Sequence, residues 1–223
     1  MQAPLTIPGH ARVISANADR DLYAGTHTCS PLLLHELLKS TALLSPSTYD
    51  RILEEGFSVE RSKLQVQQSL RGGLITNAWP TIRLSRLITS APHGYEIFGL
   101  SGINMADDLR DNILPHASLA IGMLPRTMRI RAAILLIQKH KHHFSGSRSL
   151  VDFVREGDHL YVGITDSVFS GREDTQIGGG ELHRQAIETI FREYAHVQCR
   201  VLRTKPRRQR LNEVWFEIVS SKS

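Results

Sequence analysis

The chain has few of the features that define several large classes of protein. It contains only two cysteines, Cys29 and Cys199, which is too few for a disulfide framework. Its longest apolar run covers residues 132–137, far short of the roughly 20 residues that span a bilayer. The first residues lack the basic start and apolar stretch of a secretory signal. We therefore expect a cytoplasmic protein with no membrane contact.

Positive charge is concentrated near the end of the chain. Of the 27 Lys and Arg residues, six lie in an acid-free segment, residues 200–210, which leaves 21 against 22 acidic residues elsewhere. A surface that binds nucleic acid over a broad area is therefore not expected. The segment is either an exposed hairpin loop or a local nucleic-acid contact. The contact residues would be Arg203, Lys205, Arg207, Arg208 and Arg210.

The order of predicted elements indicates an α+β fold. Apolar residues at helical spacing predict helices from Pro31 and over residues 48–55, 81–90, 127–139 and 181–194, with a weaker one over 105–114. Strict alternation predicts a hairpin over residues 150–164 and strands over 197–202 and 214–219. We expect residues 1–30 to be irregular or to contain a short strand, and 31–223 to form one domain. Its helical N-terminal half would pack on an antiparallel sheet built largely from the C-terminal half.

No set of residues stands out as a catalytic or metal centre. His140, His142 and His143 are close in sequence, but no cysteine or carboxylate lies beside them to complete a metal site. The three glycines at 178–180 precede a predicted helix but lack the Lys-Ser/Thr of a phosphate loop, so a flexible loop is expected over 166–180. Ser101 is not in a nucleophile elbow. We predict no enzyme activity, no metal and no cofactor.

Several segments occur in an order that is similar to a known family. Residues 95–100 look like an "Asp-Pro-x-Phe-Gly-Leu" segment, and residues 119–127 like a small-apolar run followed by "Ser-Pro-Thr". A helix and a hairpin follow. In these features the chain resembles the N-terminal effector-binding domain of AraC-type transcriptional regulators, in the subgroup whose sensor domain is not a cupin. The Asp-Pro is absent, and the double helix-turn-helix of the family is missing.

The resemblance implies a sensor domain that binds a small-molecule effector. It implies a homodimer whose contact with DNA depends on a separate or missing helix-turn-helix domain. The inner residues of the matching section are the predicted ligand contacts, with two polar groups beside them, although each apolar one is also explained by core packing. These residues are Trp79, Phe98, Met123, Phe153 and Tyr161, with His116 and Arg126 as the polar groups.

Two other functions remain open at this point. The order of helix, strand, basic loop and strand near the end of the chain suggests a small-molecule-binding module of the 4-vinyl-reductase type. That family places cysteines in its final hairpin, where this chain has only Cys199. The other alternative is nucleic-acid contact through residues 200–210. Loss of low-salt binding after arginine-to-alanine changes in that segment would support it.

Overall fold

The computed structural model describes residues 27–72, 76–113, 115–170, 173–205 and 213–220. In these ranges the protein has an α+β fold, as predicted, with a four-stranded antiparallel sheet and a larger helical part. Only residues 27–30 of the segment predicted to be irregular are described. They include strand β1 (Thr28–Cys29), which pairs with β2 (Thr76–Asn77).

Eight α-helices are present in the described ranges. They are α1 (Pro31–Leu44), α2 (Pro46–Glu54), α3 (Val59–Gly72), α4 (Trp79–Thr89), α5 (Gly94–Asp108), α6 (Ala117–Gly122), α7 (Arg126–His140) and α8 (Glu173–Glu193). A π-helical turn (Leu109–Ile113) extends α5, and a 3-10 turn (Lys141–His143) follows α7. Proline occupies the first turn of α1, α2 and α4, where its missing N–H has no helical partner to lose.

The sheet contains the strands that alternation predicted. β3 (Leu150–Glu156), β4 (His159–Thr165), β6 (Glu213–Ser220) and β5 (Cys199–Thr204) lie in that spatial order, and each neighbouring pair is antiparallel. On one face Val162 lies opposite Phe216 and Ile164 opposite Val214, and all four are buried. The period-two pattern therefore marks Val162 and Ile164 correctly, but the other face of β4 is buried as well, at Tyr161, Gly163 and Thr165, so the prediction of a single buried face is wrong for this strand.

Helix α8 occupies the centre of the fold. It packs against β5 on one side and against α5 on another, and α5 in turn packs against α1. The approach of α5 to α8 is very close at Gly102, where an added Cβ would lie 2.3 Å from the carbonyl oxygen of Leu182. A glycine is required at this crossing because any side chain there would meet the backbone of the other helix.

The loop predicted over residues 166–180 is wrong from residue 173 onward. Helix α8 begins at Glu173 and continues through all three glycines, so they do not form a loop before a helix. An added Cβ would lie 2.5 Å from the Phe98 ring at Gly178 and 2.4 Å from Phe169 at Gly179. The two rings pack edge to face with centroids 5.8 Å apart. The glycines therefore make room in the helix for two aromatic side chains.

The helical part departs from prediction at three further places. Helix α2 begins at Pro46 rather than at residue 48, because proline is well suited to the first helical position. Helix α3 was not predicted at all. The motif at residues 95–100 lies in the long helix α5, of which the predicted weak helix over residues 105–114 is only the end. Of the four positions predicted to face inward on α7, Ala133 and Ile137 are buried, while Ile130 and Ile134 are half-buried and pack against the core.

Candidate functional site

A groove of about 280 Å³ opens between three helices of the N-terminal part of the chain. Helix α1, the connection from α2 to α3, the first turns of α3 and the start of α4 provide its walls. The lining residues are Leu34, Leu38, Glu55, Gly56, Phe57, Ser58, Arg61, Ser62, Gln65, Trp79, Pro80 and Arg83.

Local backbone chemistry builds the wall between α2 and α3. Gly56 has a φ of +84°, which glycine adopts without strain, and it ends the helical turn after α2. Ser58 then caps α3, since its hydroxyl accepts a hydrogen bond from the backbone N–H of Arg61 at 3.3 Å. Phe57, in the connection, and Arg61, in the first turn of α3, therefore both line the groove.

Aromatic and aliphatic side chains make the apolar part of the groove. Trp79 begins α4, where its backbone N–H donates to the Asn77 side-chain oxygen at 2.8 Å. Its ring and that of Phe57 are partly buried against the core, and Leu38 below them is 1% exposed. The groove therefore offers flat apolar surface on a well-packed base.

The residues that line the groove carry two positive charges and one negative charge. Arg83 forms an ion pair with Glu55, and its guanidinium lies 5.8 Å from the centroid of the Phe57 ring. Arg61 is exposed, and its guanidinium has no partner in the part of the chain that the structure describes. An incoming anion would therefore meet one guanidinium that is already paired and one that is available.

The structure brings only one of the seven predicted ligand contacts to this groove, namely Trp79. Phe98 is fully buried against Phe169 in the core, and Tyr161 is buried on β4. Phe153 is half-buried on β3 and packs against the core.

The other three predicted contacts surround the short helix α6. His116 precedes it and is exposed, and Arg126 is exposed at the start of α7. Met123, predicted to point inward, is instead 89% exposed because it lies just after the end of α6, at the turn into α7. The seven residues therefore do not form one cavity in this fold.

The basic segment is described only in part. Arg203 lies on β5, where its guanidinium would be 3.6 Å from a Cβ added at Gly180, so the end of the side chain lies beside α8 at that residue. Lys205 is exposed just after the strand. Arg207, Arg208 and Arg210 lie outside the described residues. Nucleic-acid contact through this segment stays a prediction.

Phe57, Arg61 and Arg83 were not predicted from the sequence as site residues. Glycine followed two residues later by serine marks the boundary of a new helix, and that signal was present at Gly56 and Ser58. The arginines carried no comparable signal. Their meeting depends on how α3 and α4 pack against α1.

The rings of the three neighbouring histidines lie close together, and we call them the histidine stack. The rings of His142 and His143 have centroids 4.0 Å apart, and His140 lies 5.7 Å from His143. Burial lowers the pKa of His140 to about 4 and that of His143 to about 3. Among the described residues no group of three or more His, Cys, Asp or Glu side chains is arranged to hold a metal ion.

Buried histidines make the fold sensitive to acid. His183 is fully enclosed, its Nε2 lies 3.0 Å from the Phe144 carbonyl oxygen, and burial lowers its pKa to about 4. The unfolded chain therefore takes up protons first as the pH falls below 6.5, and folding stability decreases. For His183 alone we expect a loss of about 2 kcal/mol between pH 7 and pH 5. Glu36, whose pKa burial raises to about 7, opposes this trend.

Urea unfolding at pH 7.5, 6 and 5 measures this effect. As the pH falls, the free energy of unfolding of the wild type should decrease relative to that of His183→Gln, because glutamine donates a hydrogen bond without titrating. Identical slopes for the two proteins would show that His183 does not couple proton uptake to unfolding.

Comparison with known proteins gives little further information. No protein-family model matches the chain, and no curated protein matches it. Among solved structures, the Fe(II) unliganded H-NOX protein from K. algicida aligns with 87% of this chain and 97% of its own, at 11% identity and a TM-score of 0.48. A mutant of that protein aligns over 86% and 97%, at 9% identity and the same TM-score. This likeness supports no inference about the function of this chain.

No helix in the described ranges has the length and apolar character needed to cross a membrane.

Proposed function

We propose that the chain is a small-molecule-sensing regulatory domain, as its resemblance to AraC-type effector domains implies, and that the effector binds in the groove. The observation that carries the proposal is the unpartnered Arg61 guanidinium at a groove walled by Phe57 and Trp79. This combination selects an organic anion with an apolar body.

The groove matches both the negative charge and the apolar body of such a ligand. A guanidinium binds a carboxylate through two parallel hydrogen bonds, which gives orientation as well as affinity. The aromatic and aliphatic walls supply the hydrophobic contact. A volume of about 280 Å³ is just below the usual range of small-molecule sites, so a ligand with one ring suits it better than a dinucleotide does.

Binding in this place would be sensed through helix packing. The groove joins α1, α3 and α4, and α1 packs against α5, which contacts the central helix α8. An effector that connects α3 to α4 stabilises the arrangement of helices to which it binds better. In this proposal the domain regulates as a homodimer, without catalysis, and DNA is contacted by a separate domain.

A thermal-shift panel tests the proposal. Each aromatic or branched carboxylic acid is compared with its neutral amide on the wild type, on Arg61→Gln and on the control Arg51→Gln, an exposed arginine outside the groove. At a hundredfold excess over Kd a ligand stabilises by about 3 kcal/mol, which is easily detected. We expect acids but not amides to raise the Tm.

The variants decide whether the groove is the site. Arg61→Gln should weaken binding of the best acid by about tenfold or more, and Arg51→Gln should leave its affinity unchanged. A panel without a hit, or a hit that binds Arg61→Gln as well as wild type, would overturn the proposal.

A further inference from the structure

One long segment of the chain carries positive charge only. Between Asp111 and Asp152 there is no Asp or Glu, while six Lys or Arg residues occur. The histidines of the stack in this segment stay neutral, because burial lowers their pKa values. Helices α6 and α7 lie in the middle of this acid-free segment.

The same two helices expose large apolar side chains. On α6 and at its end, Leu119 and Met123 are four residues apart and are 74% and 89% exposed. On α7, Met128 is 49% and Leu135 is 65% exposed, with the exposed Arg131 between them on the same helical stripe. We refer to Leu119, Met123, Met128, Arg131 and Leu135 as the α6–α7 face.

This face is held firmly by the rest of the fold. The Ser118 hydroxyl donates to the carbonyl oxygen of Glu193 at 2.8 Å, which fastens α6 to the end of α8. Gly122 lies against the His196 ring, where an added Cβ would be 3.0 Å from Nε2. The opposite side of α7 is buried through Ala133, Leu136 and Ile137. Helices α6 and α7 are therefore attached to α8 and to the core, and the apolar side chains named above lie on their exposed sides.

We propose that the α6–α7 face binds an acidic amphipathic helix of a partner protein. The apolar side of such a helix would cover the exposed leucines and methionines, and methionine adapts readily to a partner surface. Its carboxylates would pair with Arg131 and with other cations of the acid-free segment. Charge complementarity of this kind also steers the encounter.

The surface is less suited to other occupants. A second copy of the chain that used the same face would offer no carboxylate from α6 or α7 to pair with Arg131, because neither helix contains an acid. A lipid surface is usually engaged with Trp or Tyr at the interface, and no aromatic residue occurs between Phe98 and Phe144. Nucleic acid would leave the apolar side chains without contacts.

Fluorescence anisotropy with designed peptides tests the proposal. The probe is a labelled helical peptide of about 18 residues with leucine on one side and glutamate on the other, and its control carries lysine in place of glutamate. We expect the full chain to bind the acidic peptide only, and binding to weaken as salt rises from about 25 to 300 mM.

Matched variants locate the binding. Leu135→Ser and Arg131→Glu should each weaken binding of the acidic peptide by about tenfold. The first removes an apolar contact, and the second reverses a charge. Leu53→Ser and Leu64→Ser change exposed leucines on α2 and α3 and should have no effect. All four positions are exposed, and equal melting temperatures confirm that the variants fold.

Three results would overturn the proposal. The first is that the acidic peptide does not bind, or binds Leu135→Ser and Arg131→Glu as well as wild type. The second is a dimer in analytical ultracentrifugation that Leu135→Ser abolishes, which would assign the face to a second copy. The third is binding to vesicles of phosphatidylglycerol and phosphatidylcholine that the same substitution abolishes, which would assign it to an anionic membrane.

Discussion

The Gly102→Ala variant is expected to lose about 2–3 kcal/mol of folding stability, even though alanine has the higher helix propensity by about 1 kcal/mol. The added methyl carbon would lie 2.3 Å from the Leu182 carbonyl oxygen and 3.1 Å from the Ala186 nitrogen. Both are backbone atoms of α8, so no side-chain rotation relieves the overlap. Helices α5 and α8 must separate, and the packing around both is weakened.

Gly180→Ala is the matched control for this prediction. Gly180 also lies inside α8, but the nearest atom to an added Cβ there is Arg203 Nη1 at 3.6 Å, an ordinary contact. Alanine should therefore stabilise the protein by up to about 1 kcal/mol. Urea unfolding of both variants measures the difference. A Gly102→Ala protein as stable as Gly180→Ala would contradict the close crossing of the two helices.

Removal of the Glu181 carboxylate should have an effect of similar size. Its Oε2 accepts from the Tyr95 hydroxyl at 2.5 Å and from Arg184 Nε at 2.7 Å, and its Oε1 accepts from Arg184 Nη2 at 2.7 Å and Gln185 at 3.0 Å. Burial favours protonation of this group, but these hydrogen bonds outweigh burial, and the pKa of Glu181 is lowered. The carboxylate is thus ionised and fully bonded while only 5% exposed.

Glu181→Ala leaves the partly buried Arg184 with its longer contacts of 3.3 Å to Glu188 and to the Val201 carbonyl oxygen. We expect a loss of about 2–4 kcal/mol, because a partly buried cation loses its main partner. Tyr95→Phe removes a single hydrogen bond from the same network and should cost about 1 kcal/mol. If denaturant unfolding finds Glu181→Ala no less stable than Tyr95→Phe, the network contributes less than its geometry implies.

The fold class followed from the sequence because local patterns and buried faces agree in most elements. Val162 and Ile164 on β4 were predicted to face inward and are buried, although the structure buries the opposite face of this strand as well. The start of α8 could not be predicted in this way. Three consecutive glycines normally favour a loop. In this helix Gly178 and Gly179 are required because the rings of Phe98 and Phe169, which are distant in sequence, pack against them.

The candidate site was less accessible from sequence than the fold. Trp79 was predicted as a ligand contact, but Phe57 and Arg61 lie before residues 76–164, the section from which the predicted contacts were chosen. These residues line one groove only because α1, α3 and α4 pack together, and no local sequence pattern specifies that packing. The α6–α7 face differs from the groove in this respect, because the absence of Asp and Glu between Asp111 and Asp152 is visible in the sequence alone.

The central claim is that the groove binds an organic anion, and the indole N–H signals of the two tryptophans test it directly by NMR. Trp79 lines the groove, while Trp215 is 1% exposed on β6 and serves as an internal control. Titration with the best acid from the panel should shift the Trp79 signal, assigned with Trp79→Phe, and leave Trp215 in place. A stationary Trp79 signal at saturating acid, or a shift of Trp215 alone, would contradict the account.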